Sequence, residues 1–204
     1  MPGHPRGFVE DPASRAVGAV LAGGRGRRLG GSKALAILGG RALISYPVQA
    51  MRAVPVSVAV VAKPDTELPA LADAELWTEP GEPRHPLVGI CHALRRAAGR
   101  PVLVCAADLP FVTPESLARL ARADPGDAPA VIAVSASGMA QPLLGCYQPA
   151  ALEILAPAAT SAVAPLRAAV AALGPRHLEL ADDLLFNVNT PDDLERAERR
   201  ISQT

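Results

Sequence analysis

Residues 17–34 read VGAVLAGGRGRRLGGSKA. The stretch decides the fold because it joins two unlike pieces. Val17 to Leu21 is a short apolar run bounded by glycine, the pattern of a strand buried in a parallel sheet. From Gly23 to Lys33, five of eleven residues are glycine and four are basic: Arg25, Arg27, Arg28 and Lys33. Open α/β sheets bind ligands in the crevice beyond the carboxyl ends of their strands. Glycines let backbone N–H groups turn toward an anion, and Arg28 and Lys33 add charge that a phosphate neutralises. The plainer alternative is a basic surface loop. The regular placement of the basic residues and the strand that feeds them favour a phosphate cradle.

Two familiar cradles do not fit. A Walker A loop needs GxxxxGK[ST], but Ser32 separates Gly31 from Lys33 and Ala34 follows the lysine, so no hydroxyl is placed for magnesium. A dinucleotide fingerprint needs GxGxxG, whereas Gly24, Gly26 and Gly30 are spaced one residue too long. The residues after Lys33, ALAILGG, read as extended rather than helical.

Outward from this stretch, strands and helices alternate. Val56 to Ala62, Glu75 to Thr78, Pro101 to Ala106, Ala130 to Val134 and Leu143 to Tyr147 read as strands, most of them continuous apolar runs. Leu43 to Arg52, Leu87 to Ala98, a segment opened by Thr113-Pro114-Glu115, and stretches near 149–156 and 164–173 read as helices. Phe186 to Asn189 is a short extended piece, and Thr190-Pro191-Asp192-Asp193 caps a last helix to about Ile201. This grammar predicts a three-layer α/β fold around a mostly parallel sheet. One domain is expected over 16–204, after a disordered leader over 1–15.

Composition narrows the function. With 204 residues, half hydrophobic, the chain can bury a real core. Twenty basic and twenty acidic residues balance, so no global field draws nucleic acid or an anionic membrane. The basic loop lacks the aromatic partners of a nucleic-acid surface. No apolar run approaches the ~18 residues of a membrane span, and residues 1–15 lack the apolar core of a secretory signal. Cys91, Cys105 and Cys146 are isolated from one another, as buried free thiols in a reducing cytoplasm would be. His4, His85, His92 and His177 show no metal spacing.

Asp108 stands where the apolar run VLVCAAD ends. A carboxylate there faces the same crevice as the glycine loop. Magnesium typically takes one or two carboxylates plus substrate phosphates, which makes Asp108 the candidate metal ligand; an aspartate that merely opens a turn before Pro110 is the alternative. Asp192 and Asp193 lie in a helix's first turn and read as caps. Asp182 and Asp183 read as solvated loop residues.

The residues then resemble a known family. Leu21-Ala22-Gly23-Gly24, Arg28-Leu29-Gly30 and Lys33 are similar to the LAGGxSxRMGxxK signature of small nucleotidyltransferases, and more narrowly of molybdenum cofactor guanylyltransferases. Pro86-Leu87-Val88-Gly89-Ile90 resembles a GPLAGI turn and Asp108-Leu109-Pro110 a CDxP block. Gln141-Pro142-Leu143 fits a substrate-side block, and Phe186 to Pro191 is close to NxNTPEDL. The resemblance implies a Rossmann-like nucleotidyltransferase fold with a mixed, mostly parallel sheet. It implies transfer of GMP from GTP to the phosphate of molybdopterin with release of pyrophosphate. In that reading Arg28, Lys33 and Asp108 are catalytic, with Mg2+ on Asp108. Leu21, Ala22, Gly23, Gly24, Gly30, Lys33, Glu79, Pro86, Leu87 and Gly89 bind the nucleotide, and Gln141, Asn187 and Asn189 the acceptor. A cytoplasmic monomer or weak homo-oligomer is expected, with neither nucleic acid nor membrane as partner. The sequence departs from the pattern at Gly26, Ser32, His85 and Ala107. A cytidylyl- or other nucleotidyltransferase acting on a different phosphorylated acceptor, and a non-catalytic nucleotide-binding regulator, remain the alternatives.

Overall fold

The computed structural model describes residues 12–26, 31–71, 74–160 and 165–203. The expected leader over 1–15 falls largely outside them, and Pro12–Arg15 form a 3-10 turn whose Ala13 is buried. The strands are β1 (Val17–Leu21), β2 (Arg25–Gly26), β3 (Gly31–Ser32), β4 (Ile37–Leu38), β5 (Arg41–Ala42), β6 (Ser57–Ala62), β7 (Glu75–Thr78), β8 (Val102–Ala106), β9 (Ala130–Val134), β10 (Ala140–Tyr147) and β11 (Arg176–Glu179). The helices are α1 (Ser45–Arg52), α2 (Pro86–Arg96), α3 (Pro114–Arg122), α4 (Ala151–Ala159), α5 (Leu166–Ala171) and α6 (Pro191–Ile201).

Seven strands form one sheet in the order β11-β9-β10-β8-β1-β6-β7. β10 is antiparallel to both its neighbours, and the other pairings are parallel. The sheet is therefore mixed and mostly parallel. Alternation along the strands splits the core. Val20, Val60, Leu103, Cys105 and Val131 pack with α1 and α3. Val17, Ala19, Val61, Val104 and Ile132 pack with α2, α4 and α5 on the other face. This period of two produces the three layers. Gly18 sits where α1 comes closest: a Cβ there would stand 2.6 Å from Met51 Cγ.

Helix starts follow their caps. Thr113 Oγ1 accepts from the Ser116 backbone N–H at 3.1 Å, and Ser116 Oγ accepts from Thr113 N–H at 3.0 Å. Thr190 and Asp193 make the same reciprocal pair on α6. In both, a side chain satisfies a donor the helix leaves open. Pro47 lies in the first turn of α1, where its missing N–H costs no helical bond.

Several local readings change. After Lys33 the chain is not simply extended: Lys33–Leu35 make a 3-10 turn before the two-residue ladder of β4 and β5. Phe186 to Asn189 joins no sheet, because its backbone bonds elsewhere, Val188 N–H donating to Asp108 O at 3.0 Å. Asp182 and Asp183 belong to a 3-10 turn, where Asp182 Oδ1 accepts from Ala136 N–H at 3.0 Å. The sequence reading missed β11, because RHLE is polar and an edge strand needs only one neighbour.

Candidate active site

Four parallel strands end at the same edge of the sheet. Register pairs Leu21 with Val61 and with Ala106, and Ala62 with Thr78. Backbone bonds carry the register into the loops. Ala22 N–H donates to Val61 O at 2.8 Å, Ala107 N–H to Leu21 O at 3.0 Å, and Glu79 N–H to Ala62 O at 2.9 Å. The loop after β1, Lys63, Glu79 and Asp108 are thereby brought to one crevice. Its neighbours β8 and β1 flank the point where the chain's strand order reverses, the usual ligand position in such sheets.

A cavity of about 470 Å³ fills this edge. Of the residues singled out from the sequence, Leu21, Ala22, Gly23, Gly24, Lys33, Glu79, Pro86, Gly89 and Asp108 line it. Leu87 does not: its side chain is fully buried under the sheet, while its N–H donates to His85 Nδ1 at 3.2 Å. Gln141 pairs with Ala133 in the sheet, and it is Leu143 of the same strand that reaches the cavity wall. Arg28 and Gly30 lie outside the described residues.

At the β8 end, the Lys33 ammonium donates to Asp108 Oδ2 and, at 2.6 Å, to Asn189 Oδ1. Asn187 Nδ2 donates to the other carboxylate oxygen, Asp108 Oδ1, at 3.1 Å. Asn187 and Asn189, assigned to the acceptor on resemblance, thus meet Asp108 and Lys33 in one network. The Lys33 and Asp108 side chains keep 17% and 16% of their surface open, so a ligand in the cavity can compete for them.

At the β7 end a second pair is sealed. Lys63 Nζ lies 3.4 Å from Glu79 Oε2, with only 2% and 4% of the two side chains exposed. The ammonium also donates to Pro80 O at 2.6 Å and Pro83 O at 3.2 Å. Glu79 Oε2 accepts no hydrogen bond. Burial pushes the Glu79 carboxyl above its ordinary range, and the Lys63 charge pulls it back only in part. Glycines make room for it: a Cβ on Gly23 would fall 2.5 Å from Glu79 Oε1, and one on Gly89 3.3 Å from Oε2.

Lys63 went unnoticed in the sequence, and His85 stood out there only as a departure from the family pattern. Lys63 had a signal, since it follows the apolar run of β6 directly, at the same edge as the β1 loop and Asp108. His85, in place of a glycine, caps α2. The cysteines are free and buried. Burial drives the Cys91 thiol up to about 11 and Cys146 to about 12, and Cys105 higher still, so none is a ready nucleophile. Among the described residues no group of three or more His, Cys, Asp or Glu could hold a metal, and no helix is long and apolar enough to cross a membrane.

The fold, with a glycine loop, a lysine and a strand-end aspartate sharing one crevice, is that of a nucleotidyltransferase. The family model described as the MobA-like NTP transferase domain matches residues 18–178, and the chain belongs to that family. It is 34% identical over 195 residues to a molybdenum cofactor guanylyltransferase of Cereibacter sphaeroides, covering 90% of this chain and 96% of the relative. Its structure is similar to molybdopterin-guanine dinucleotide biosynthesis protein A of Archaeoglobus fulgidus, with TM-score 0.73 and 26% identity over 92% of this chain and 99% of that one. It shares its fold with 2-C-methyl-D-erythritol 4-phosphate cytidylyltransferase of Thermus thermophilus, at TM-score 0.65 and 22% identity, covering 93% and 100% of the two chains.

Proposed function

We propose that this protein transfers GMP from GTP to the phosphate of a molybdopterin-type acceptor and releases pyrophosphate. One observation carries the reading: a single cavity holds an open lysine–carboxylate pair at its β8 end and a buried carboxylate at its β7 end. The strands that bear them are three spacings apart, roughly 14 Å along the sheet edge, a span suited to a nucleotide laid across β1 and β6. The base then meets Glu79 and the phosphates meet Lys33.

The acceptor's phosphate oxygen forms a bond to the α-phosphorus as the bond to pyrophosphate breaks. Such chemistry needs positioning and charge neutralisation rather than a covalent nucleophile on the protein. Lys33 balances charge on the departing pyrophosphate, and Gly23 and Gly24 leave the backbone open to the nucleotide. Arg28 adds charge in the same reading. Asn187 keeps the Asp108 carboxylate turned toward the cavity through its bond to Oδ1.

The residues present fit Mg2+. Asp108 Oδ2 and Asn189 Oδ1 already converge on one cation, the Lys33 ammonium, and both are the hard oxygen donors magnesium prefers. Asp108 would hold the ion, with Asn189 beside it. Bound there, Mg2+ supplies charge neutralisation at the phosphate oxygens. The free, buried cysteines are in keeping with a cytoplasmic protein.

Pyrophosphate release measured with each nucleoside triphosphate, with and without molybdopterin, tests the proposal. Release with GTP only when molybdopterin is present is the expected result. Release with CTP in its place makes the chain a cytidylyltransferase, and GTP binding without turnover makes it a regulator.

A further inference from the structure

Lys63 belongs to no part of the scheme above, yet it is among the most buried charged groups described, with 4% of its surface exposed. It follows β6 without a spacer and reaches across to the end of β7. There its ammonium meets three oxygens: Glu79 Oε2, Pro80 O and Pro83 O. A buried ammonium persists only when such partners replace its water. Glu79 stands on the other side of the balance. Its carboxylate is walled in by the glycines at 23 and 89, and its Oε2 has no hydrogen-bond donor. Without a cation at 3.4 Å, a carboxyl so buried would take a proton.

The protonation state decides what the carboxyl can read. An ionised carboxylate is acceptor-only and can take two parallel N–H donors, whereas the protonated form presents a donor of its own. Among the bases, guanine alone offers two adjacent donors on one edge, N1–H and the exocyclic amine. Adenine and cytosine offer a donor beside an acceptor, and hypoxanthine lacks the amine.

We propose that Lys63 is the positioning residue for base selection: by pairing with Glu79 and tying down the Pro80–Pro83 turn, it keeps an acceptor-only carboxylate facing the cavity and so makes the pocket prefer guanine. This rests on the reading of Glu79 as the base-facing residue. Other charged groups near the base end do not substitute for Lys63. Arg84 is drawn to Asp65 at 2.6 Å and Glu82 at 3.1 Å, and His85 Nδ1 is taken by the Leu87 N–H. Gly23 after β1 and Gly89 of α2 come close to the carboxylate, and the titratable group on α2 that feels the Lys63 charge is His92, held below its ordinary value first by burial.

The test is equilibrium binding of GTP and inosine triphosphate to the full chain, with inorganic pyrophosphate as a control for the phosphate end. The wild type is expected to bind GTP about tenfold or more tightly than inosine triphosphate, the size of one hydrogen bond to a charged group. In Lys63→Met that ratio should fall below about threefold, with pyrophosphate binding unchanged. The GTP affinity of this variant should also weaken as the pH drops from about 8 to about 6, because the Glu79 carboxyl, no longer paired, takes up a proton. His85 is common to both proteins, so any effect it has cancels in the comparison. Lys63→Gln keeps N–H donors for the two carbonyls without the charge, and is expected to behave alike if Lys63→Met does not fold. In a Glu79→Gln background, Lys63→Gln should change the ratio no further. A full GTP preference in both Lys63 variants, at every pH, overturns the assignment of Lys63 alone. A wild type that does not distinguish GTP from inosine triphosphate overturns the guanine reading itself, and the role of Lys63 with it.

Discussion

Two lysine–carboxylate pairs share one cavity and differ in nearly every physical respect. Lys33 and Asp108 are partly open and ringed by carboxamides, with Asn187 and Asn189 satisfying what the ion pair leaves over. Lys63 and Glu79 are closed off and satisfied by backbone carbonyls on one side only, since the carboxylate keeps an oxygen without a hydrogen bond. A partly open pair stays in reach of solvent and gives up its partners more readily than a sealed one. A buried pair is held in place because either charge left alone is costly. The first arrangement suits groups that must exchange partners when a triphosphate arrives. The second suits a fixed surface against which a base is read.

The sharpest break in that comparison is Asp108→Asn. It keeps the shape of the side chain but removes its charge, and turnover should fall on the order of 10³-fold, measured as pyrophosphate release on protein whose thermal unfolding is unchanged. Ordinary turnover would remove Asp108 from the chemistry.

Next comes the sealed pair. Lys63→Met should cost about 3 kcal/mol of stability by stranding the Glu79 charge, read from urea unfolding. Lys63→Met with Glu79→Leu should recover most of it, because no charge then remains. The pH dependence has a definite sign. A carboxyl whose pKa is raised in the folded state binds protons more readily there than when unfolded, so its penalty applies above the folded pKa and fades as the pH falls through it. Burial raises Glu79, and losing Lys63 raises it further. The stability deficit of Lys63→Met should therefore shrink on acidification.

Lys33→Met sharpens the contrast from the open side. Asp108 Oδ2 and Asn189 Oδ1 would no longer hold an ammonium, and the nucleotide-free protein should bind Mn2+ about tenfold more tightly, as followed by electron paramagnetic resonance. An unchanged Mn2+ affinity would show that the ammonium does not compete for those oxygens.

The smallest effect is expected at Asp193→Ala. Asp193 Oδ2 accepts from the N–H groups of Asn189 at 3.1 Å and Thr190 at 3.0 Å, so the cap of α6 also steadies Asn189. Burial alone would raise its pKa, but the hydrogen bonds from Thr190 and Asn189 and the charge of Arg196 outweigh it and bring the value below the ordinary one. The loss should be about 1 kcal/mol. In the wild type this contribution persists until the pH falls through that lowered value.

Much of this molecule is local. The apolar runs at Val17, Ala130 and Val102 are strands because continuous Val, Ile and Ala can bury both faces of a parallel sheet. Thr113 and Thr190 mark helix starts because a hydroxyl beside a proline satisfies a free N–H. The glycine loop and Asp108 are legible for the same reason: each follows an apolar run directly, and strand ends of a parallel sheet meet at one edge. Those features belong to neighbouring residues and needed no knowledge of the fold.

Tertiary structure alone decided which groups meet. Lys63 and Glu79 are paired because β6 and β7 lie side by side in register, so that a lysine and a glutamate one step beyond their strands face each other across a single spacing. Asn187 reaches Asp108 because the segment before α6 bonds its backbone to the loop after β8. The edge strand β11 exists only because β9 offers it a free side. Composition and periodicity describe each segment's own faces; the register between segments, and the burial that gives a charge its meaning, arise only once the sheet has formed.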